Sequence, residues 1–189
     1  MTSAATWTWL GPLAALLIAV ALAHNRLLRR RQLLERAWAQ IDVQLARRHD
    51  LVPELVAAVQ AQFGHERTTL EQLAAARTSA RAAQAARTAH LTPPERAVAE
   101  VGLSQALGTL SARVGALPGL PSSHAVRRLL EDLVSTENRI AFARQHYNDT
   151  VLAYREACGR FPTAVVARAF RFRPVPFLDL PLSSPQQPG

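Results

Sequence analysis

Residues 1–25 carry no Asp, Glu, Lys or Arg, and WTWLGPLAALLIAVALA, residues 7–23, is apolar almost throughout. This feature limits the fold more than any other. Seventeen residues reach the lower end of the roughly 17 to 25 that a helix needs to cross a bilayer. Trp7 and Trp9 are placed as interfacial anchors at one end. Pro12 falls in the first turns, where a missing N–H costs little. The rival is a cleaved signal peptide, with Ala21, Leu22 and Ala23 as the processing site. A signal peptide has its positive charge before the apolar core, whereas here Arg26, Arg29, Arg30 and Arg31 follow it. The charge order therefore predicts an uncleaved single-pass anchor with the N-terminus outside and the rest of the chain in the cytoplasm.

Beyond the anchor, 49% hydrophobic residues with only 6% aromatic and no alternating β-branched run predict an all-α chain. All 22 basic residues are arginine, so no charge can be removed by lysine acetylation. The net +8 is unevenly spread. Residues 26–36 hold five Arg and one Glu, residues 37–159 thirteen Arg and twelve acids, and residues 160–173 four Arg and no acid. Two basic patches flanking a nearly neutral body suit anionic lipid headgroups. A nucleic-acid partner, which would call for a basic stripe with base-reading side chains, is not expected. The single cysteine, Cys158, excludes an internal disulfide and reads as a small buried residue.

Four helical stretches follow from apolar spacing. The first leaves the membrane and carries Leu27, Leu34, Trp38, Ile41 and Leu45. The second carries Leu55, Val59, Phe63, Leu70 and Leu73. Between them lies HDLVP, residues 49–53, read as a corner with Asp50 as N-cap and Pro53 in the opening turn. A kinked but continuous helix is the alternative, because Leu45, Val52, Leu55 and Val59 hold phase across the proline. The third helix opens at LTPPER, with Thr92 as cap, Pro93 in the first helical position and Glu95 at capping-box spacing. The fourth is capped by Ser122 or Ser123 and runs to Phe161, where Pro162 stops it. The expected architecture is an N-terminal transmembrane helix followed by an up-and-down antiparallel bundle of about four long helices. Helices one and four then bring both basic patches to one lipid surface. AVVARAFRFRPVPF, residues 164–177, reads as an interfacial segment or as an extended arm closing that end of the bundle.

No nucleophile with its base, carboxylate pair or metal-ligand spacing is present, and the six histidines (His24, His49, His65, His90, His124 and His146) are scattered. They read as isolated surface residues. Neither enzymatic activity nor a cofactor or metal is expected. What remains is a polar constellation: Asp42, Arg47, Arg48 and Asp50 near the first corner, and Glu137, Asn138, Arg139, Arg144, Tyr147 and Asn148 on the last helix. It is either a register-fixing interior network or a docking face for another membrane protein.

AWAQIDVQLARRHDLVPELV at residues 37–56 and STENRIAFARQHYNDTVLAYREACGRFP at residues 135–162 resemble the two signature blocks of the LemA family. HNRLL at residues 24–28, HERTTLEQLAAAR at 65–77 and the closing FPTAVVARAFRFRPVPF extend the likeness over most of the chain beyond the anchor. The resemblance implies a bacterial protein with one N-terminal membrane helix and an antiparallel helical bundle. Its partners would be other membrane proteins, with membrane metalloproteases and magnetosome membrane assemblies among the family's associations. The implied class is a membrane-anchored adaptor or scaffold, and a homo-oligomer is compatible with it. Alternatives from other classes are a periplasmic or secreted bundle and a small-ligand binder with a pocket inside the bundle.

The family's Tyr-Asn pairs depart in two of three places. The first is His24-Asn25, the second is intact as Tyr147-Asn148, and the third is Tyr154-Arg155. Residues 119–128 match poorly. The expected organisation is an anchor at 1–25, a basic juxtamembrane segment at 26–36, the helical bundle at 37–177 and a disordered Pro- and Ser-rich tail at 178–189.

Overall fold

The computed structural model describes residues 3–62, 67–85, 93–115 and 124–178, with side chains from residue 11 onward outside the borders of these segments. The described residues are helical almost throughout, as the composition requires. Helix α1 runs Ser3–Gln62, α2 Arg67–Ala85, α3 Pro93–Gly115, α4 His124–Gly159 and α5 Thr163–Ala169. Two compact units divide the bundle expected over residues 37–177: Met1–Ala39 with Gln145–Phe177, and Gln40–Arg144 with Leu178–Gly189.

In the second unit, segments of four helices surround one core. Val52, Leu55 and Val59 of α1 meet Leu70, Leu73 and Ala80 of α2, Leu103, Leu107, Leu110 and Val114 of α3, and Val126 and Leu133 of α4. Each set is spaced three, four or seven residues apart, so each helix turns one apolar stripe inward. Helix α3 opens at Pro93, where the ring's fixed φ suits the first turn. The proposed caps Thr92, Ser122 and Ser123 lie outside the described residues.

The corner expected at residues 49–53 is corrected by the structure: α1 passes through HDLVP without interruption and ends at Gln62. Asp50 is no N-cap and Pro53 opens no helix. Interior proline costs about 3 kcal/mol or more through its lost hydrogen bond and ring clash. Val52, Leu55 and Val59, each at most 1% exposed, contribute roughly 1.5–3 kcal/mol apiece by burial. Keeping the stripe in phase therefore outweighs the break.

In the first unit, the apolar part of α1 is long and hydrophobic enough to cross a membrane, and only 11% of its most apolar window is buried. Leu13, Leu16, Leu17, Ile18 and Leu22 are all more than half exposed, unlike the buried face of a core helix. The side chains of Trp7 and Trp9 lie outside the described residues. Next to this stretch, Ala23 and Leu27 pack with Val166 and Ala167 of α5.

Helix α4 ends at Gly159, and the Thr163 hydroxyl donates to the carbonyls of Ala157 and Arg160 at 2.5 and 2.7 Å, turning the chain into α5. Residues 164–177 are thus neither wholly interfacial nor wholly extended. They begin as α5, which closes with Arg171 at φ 55° and bonds from Phe172 N–H to Ala167 O at 2.9 Å and Arg171 N–H to Arg168 O at 3.2 Å. That pair is a Schellman stop. An extended arm follows from residue 172. Leu178, assigned to the disordered tail by composition, is buried.

Candidate functional site

The inward stripes explain where the polar residues go. On α1 the buried positions Ile41, Leu45, Val52, Leu55 and Val59 leave one stripe position, 48, and it holds arginine. On α2, Leu70, Leu73 and Ala80 leave position 77 to Arg77. On α3, Glu100 precedes Leu103, Leu107, Leu110 and Val114 at the same spacing. On α4, Glu137 stands between Leu133 and Ile140. At this level each of the four helices interrupts its apolar stripe with a charge. Two arginines and two glutamates sum to zero.

Arg48 is the centre of this layer and is 1% exposed. Its Nη2 donates to Glu100 Oε2. Its Nη1 donates to Glu137 Oε1 at 2.7 Å and to the Ser104 hydroxyl at 2.8 Å. Ser104 lies one turn beyond Glu100 on α3, so both face the guanidinium. His49, also 1% exposed, places Nε2 3.1 Å from Glu100 Oε1. An ionised carboxylate only accepts, so Nε2 carries the hydrogen. Burial raises the pKa of Glu100, but the His49 hydrogen bond, the charges of Arg48 and His49 and the Arg48 hydrogen bond outweigh it and hold the carboxyl below its ordinary value of 4.5. Arg48 Nε and His49 Nδ1 have no hydrogen-bond partner among the described residues, so the layer is costly as well as cohesive.

Arg77 resolves the proline. With no N–H at position 53, the His49 carbonyl four residues back loses its helical donor. Arg77 Nε donates to that carbonyl at 2.7 Å. The bond lost by α1 is replaced from α2, which ties the two helices at the level of the charged layer.

Of the polar residues expected to form a site, the structure brings Arg48 and Glu137 together. Asp42 is buried and Arg144 half-buried, and each takes part in a further interaction. Arg47, Asp50, Asn138 and Arg139 are exposed. Tyr147 and Asn148 belong to the other unit. Glu100, Ser104, His49 and Arg77 were missed, and His49 corrects the reading of all histidines as surface residues. For Glu100 and Arg77 a signal was available: a charge standing in phase with the leucines of its helix. His24 is half-buried as well, whereas His124 and His146 are exposed, and His65 and His90 lie outside the described residues.

In the first unit the departures from the Tyr-Asn pattern fall on one structural task. Tyr154 donates its hydroxyl to Arg173 O at 3.2 Å, and Tyr147 donates to Pro176 O at 3.5 Å. The Tyr147 ring meets Trp38 edge-on at 5.3 Å between centroids. Arg155, standing where the pattern has Asn, lies 4.8 Å over the Phe177 ring. His24, standing where it has Tyr, packs 4.7 Å from Phe170 and 5.8 Å from Phe172. All four hold the segment that follows α5. Burial raises the Tyr147 pKa; burial, with Cys158 beside it, pushes Tyr154 up to about 12. Both phenols are therefore neutral donors at any physiological pH. Cys158 is half-buried, and burial raises its thiol pKa too.

Arg29 is exposed, Arg30 half-buried, and Arg31 pairs with Glu35 at 3.3 Å on the surface, a contact worth little. Among the described residues no group of three metal-ligating side chains converges.

Residues 37–188 match the model of the LemA family. The chain is also 30% identical over 94 residues to the magnetosome protein MamQ of Magnetospirillum gryphiswaldense, across 47% of this chain. The matched stretch makes up 35% of that protein's length.

Proposed function

This chain belongs to the LemA family, and on that premise we propose that it is a membrane-anchored, non-catalytic adaptor that organises other membrane proteins, a membrane protease among the candidate clients. Its N-terminus lies outside and its helical domain in the cytoplasm. One observation carries the reading: an apolar helix segment that the protein leaves uncovered continues without a break into a helix of the packed core. Arginines directly after the apolar stretch support the orientation.

The partner surface lies outside the charged layer, since Arg48 and His49 are inaccessible. Along the outer side of α4, Val134 at 51% and Phe142 at 75% exposure flank exposed Asn138 at four-residue spacing, with Arg139 beside it. An exposed aromatic among polar residues is a suitable anchor for a partner. Detergent-extracted full-length protein should capture a membrane-protein partner that Phe142→Ser with Arg139→Ala no longer captures, at unchanged helicity by circular dichroism. Equal capture by both would remove this face from the reading. Protease digestion of intact cells, with N-terminal sequencing of the mature chain, tests the anchor. A periplasmic product beginning at His24 would replace the adaptor with a processed periplasmic bundle.

A further inference from the structure

Inside the first unit, a cavity of about 160 Å³ opens between the first turns of α1 beyond its apolar stretch and the corner joining α4 to α5. Arg26, Arg30, Glu156, Arg160, Phe161 and Thr163 line it with neighbouring alanines and a proline. Three arginines and one glutamate give the lining a charge of +2. Among the described residues no ion pair neutralises Arg26, Arg30 or Arg160. The carbonyls at the end of α4 are already engaged: Thr163 Oγ1 donates to Ala157 O, and Ala164 N–H donates to Arg160 O at 2.8 Å. The lining thus sets three guanidinium groups against the single carboxylate of Glu156.

We infer that this cavity holds the phosphate of an anionic phospholipid, bound by Arg26, Arg30 and Arg160. Guanidinium forks match phosphate oxygens two at a time. The space equals several water molecules at ~30 Å³ each, enough for a phosphodiester.

Depth decides between a lipid and a free anion. Ala23 ends the apolar stretch, and at 1.5 Å per residue Arg26 lies about 4–5 Å and Arg30 about 10 Å further along α1. A headgroup layer is roughly 5–8 Å thick on each side of the hydrocarbon. Arg26 therefore stands within the headgroup layer once α1 is inserted, and Arg30, one turn further out, reaches that layer by the length of its side chain. Phe161 beside the cavity is 82% exposed and Phe170 of the same unit 54%, as suits aromatic side chains that meet the bilayer interface. The inference rests on the membrane reading above and adds a lipid class and a binding site to it.

The test uses full-length protein in micelles containing equal amounts of dioleoyl phosphatidylglycerol and dioleoyl phosphatidylcholine, with bound lipid counted by native mass spectrometry. The wild type should retain phosphatidylglycerol about tenfold better, and each arginine removed should cost about fivefold. Arg26→Gln with Arg160→Gln should abolish the preference, while Arg127→Gln with Arg128→Gln, exposed charges of the other unit, should keep it. Circular dichroism checks that both pairs stay helical. No preference in the wild type, or equal loss in both pairs, would overturn the site. Displacement of the lipid by millimolar inorganic phosphate would make it a free-anion site and overturn the lipid assignment. Recovery of the chain in the soluble fraction without detergent would instead bring down the membrane reading, and the lipid site with it.

Discussion

The two units satisfy their buried polar groups by opposite means. In the second, ionised side chains from three helices neutralise one another around Arg48, across separations of 52 residues to Glu100 and 89 to Glu137. In the first, neutral phenols at Tyr147 and Tyr154 reach the main chain of an arm only 29 and 19 residues later, and the charges stay near the surface. A charged layer acts only in one register, because a slip of one heptad sets Arg48 against leucine and leaves the buried Glu100 carboxylate without its partner. A phenol finds a carbonyl on any nearby backbone. The first arrangement selects one packing at some cost in stability, and the second fastens an end.

The largest effect is expected at Arg48. Arg48→Met should cost about 3–5 kcal/mol in urea unfolding, since it strands Glu100 and Glu137, while Arg48→Met with Glu100→Leu and Glu137→Leu should recover most of that loss. A single-variant loss below about 1 kcal/mol would show that the layer contributes little. Acidity probes the same layer. Because Glu100 is held below its ordinary 4.5, the stability it contributes is complete above that value and disappears as pH falls through the lower folded value. Glu100→Gln should flatten the decline in melting temperature below pH 4.5 relative to wild type. An unchanged slope would place the acid sensitivity elsewhere.

Arg77 and Pro53 act on the same His49 carbonyl. Arg77→Ala should cost about 1.5–3 kcal/mol as a charged donor is lost from a buried carbonyl. In a Pro53→Ala background the restored N–H bonds the same carbonyl, so the cost should fall, and a double-mutant cycle should show coupling. Strict additivity would dissociate the two. In the first unit the expected effects are smaller. Tyr154→Phe should cost about 0.5–1.5 kcal/mol and speed tryptic cleavage at Arg171; unchanged cleavage would mean that the phenol does not fasten the arm. Arg171→Gly, at φ 55°, should stabilise by up to about 1 kcal/mol, read as a raised melting temperature.

Much of the fold was legible from local rules. The apolar segment, the helical class, the start of α3 at Pro93 and the inward stripes all follow from periodicity and ring chemistry acting over one or two turns. The turn expected at His49 to Pro53 failed because proline was weighed without the burial of Val52, Leu55 and Val59, which depends on α2, α3 and α4. Half of the charged layer was legible too. Arg48 and Glu137 stand out as charges inside the two signature blocks, while Glu100 and Arg77 lie outside both, although each interrupts a leucine stripe in phase. Periodicity marks such a position as anomalous without naming its partner.

By itself the sequence determined that the chain is helical, where it is apolar enough to enter a bilayer, and which residue in each turn faces inward, because those properties are set by side-chain transfer and helical pitch within one segment. Only the tertiary structure decided that Pro53 stays inside α1, that Arg77 takes over its missing bond, that His49 is buried against Glu100, and that Arg26, Arg30 and Arg160 share one cavity. Each of these depends on which distant backbone comes close enough to replace a lost hydrogen bond or share a charge, and helical spacing along one segment does not contain that distance.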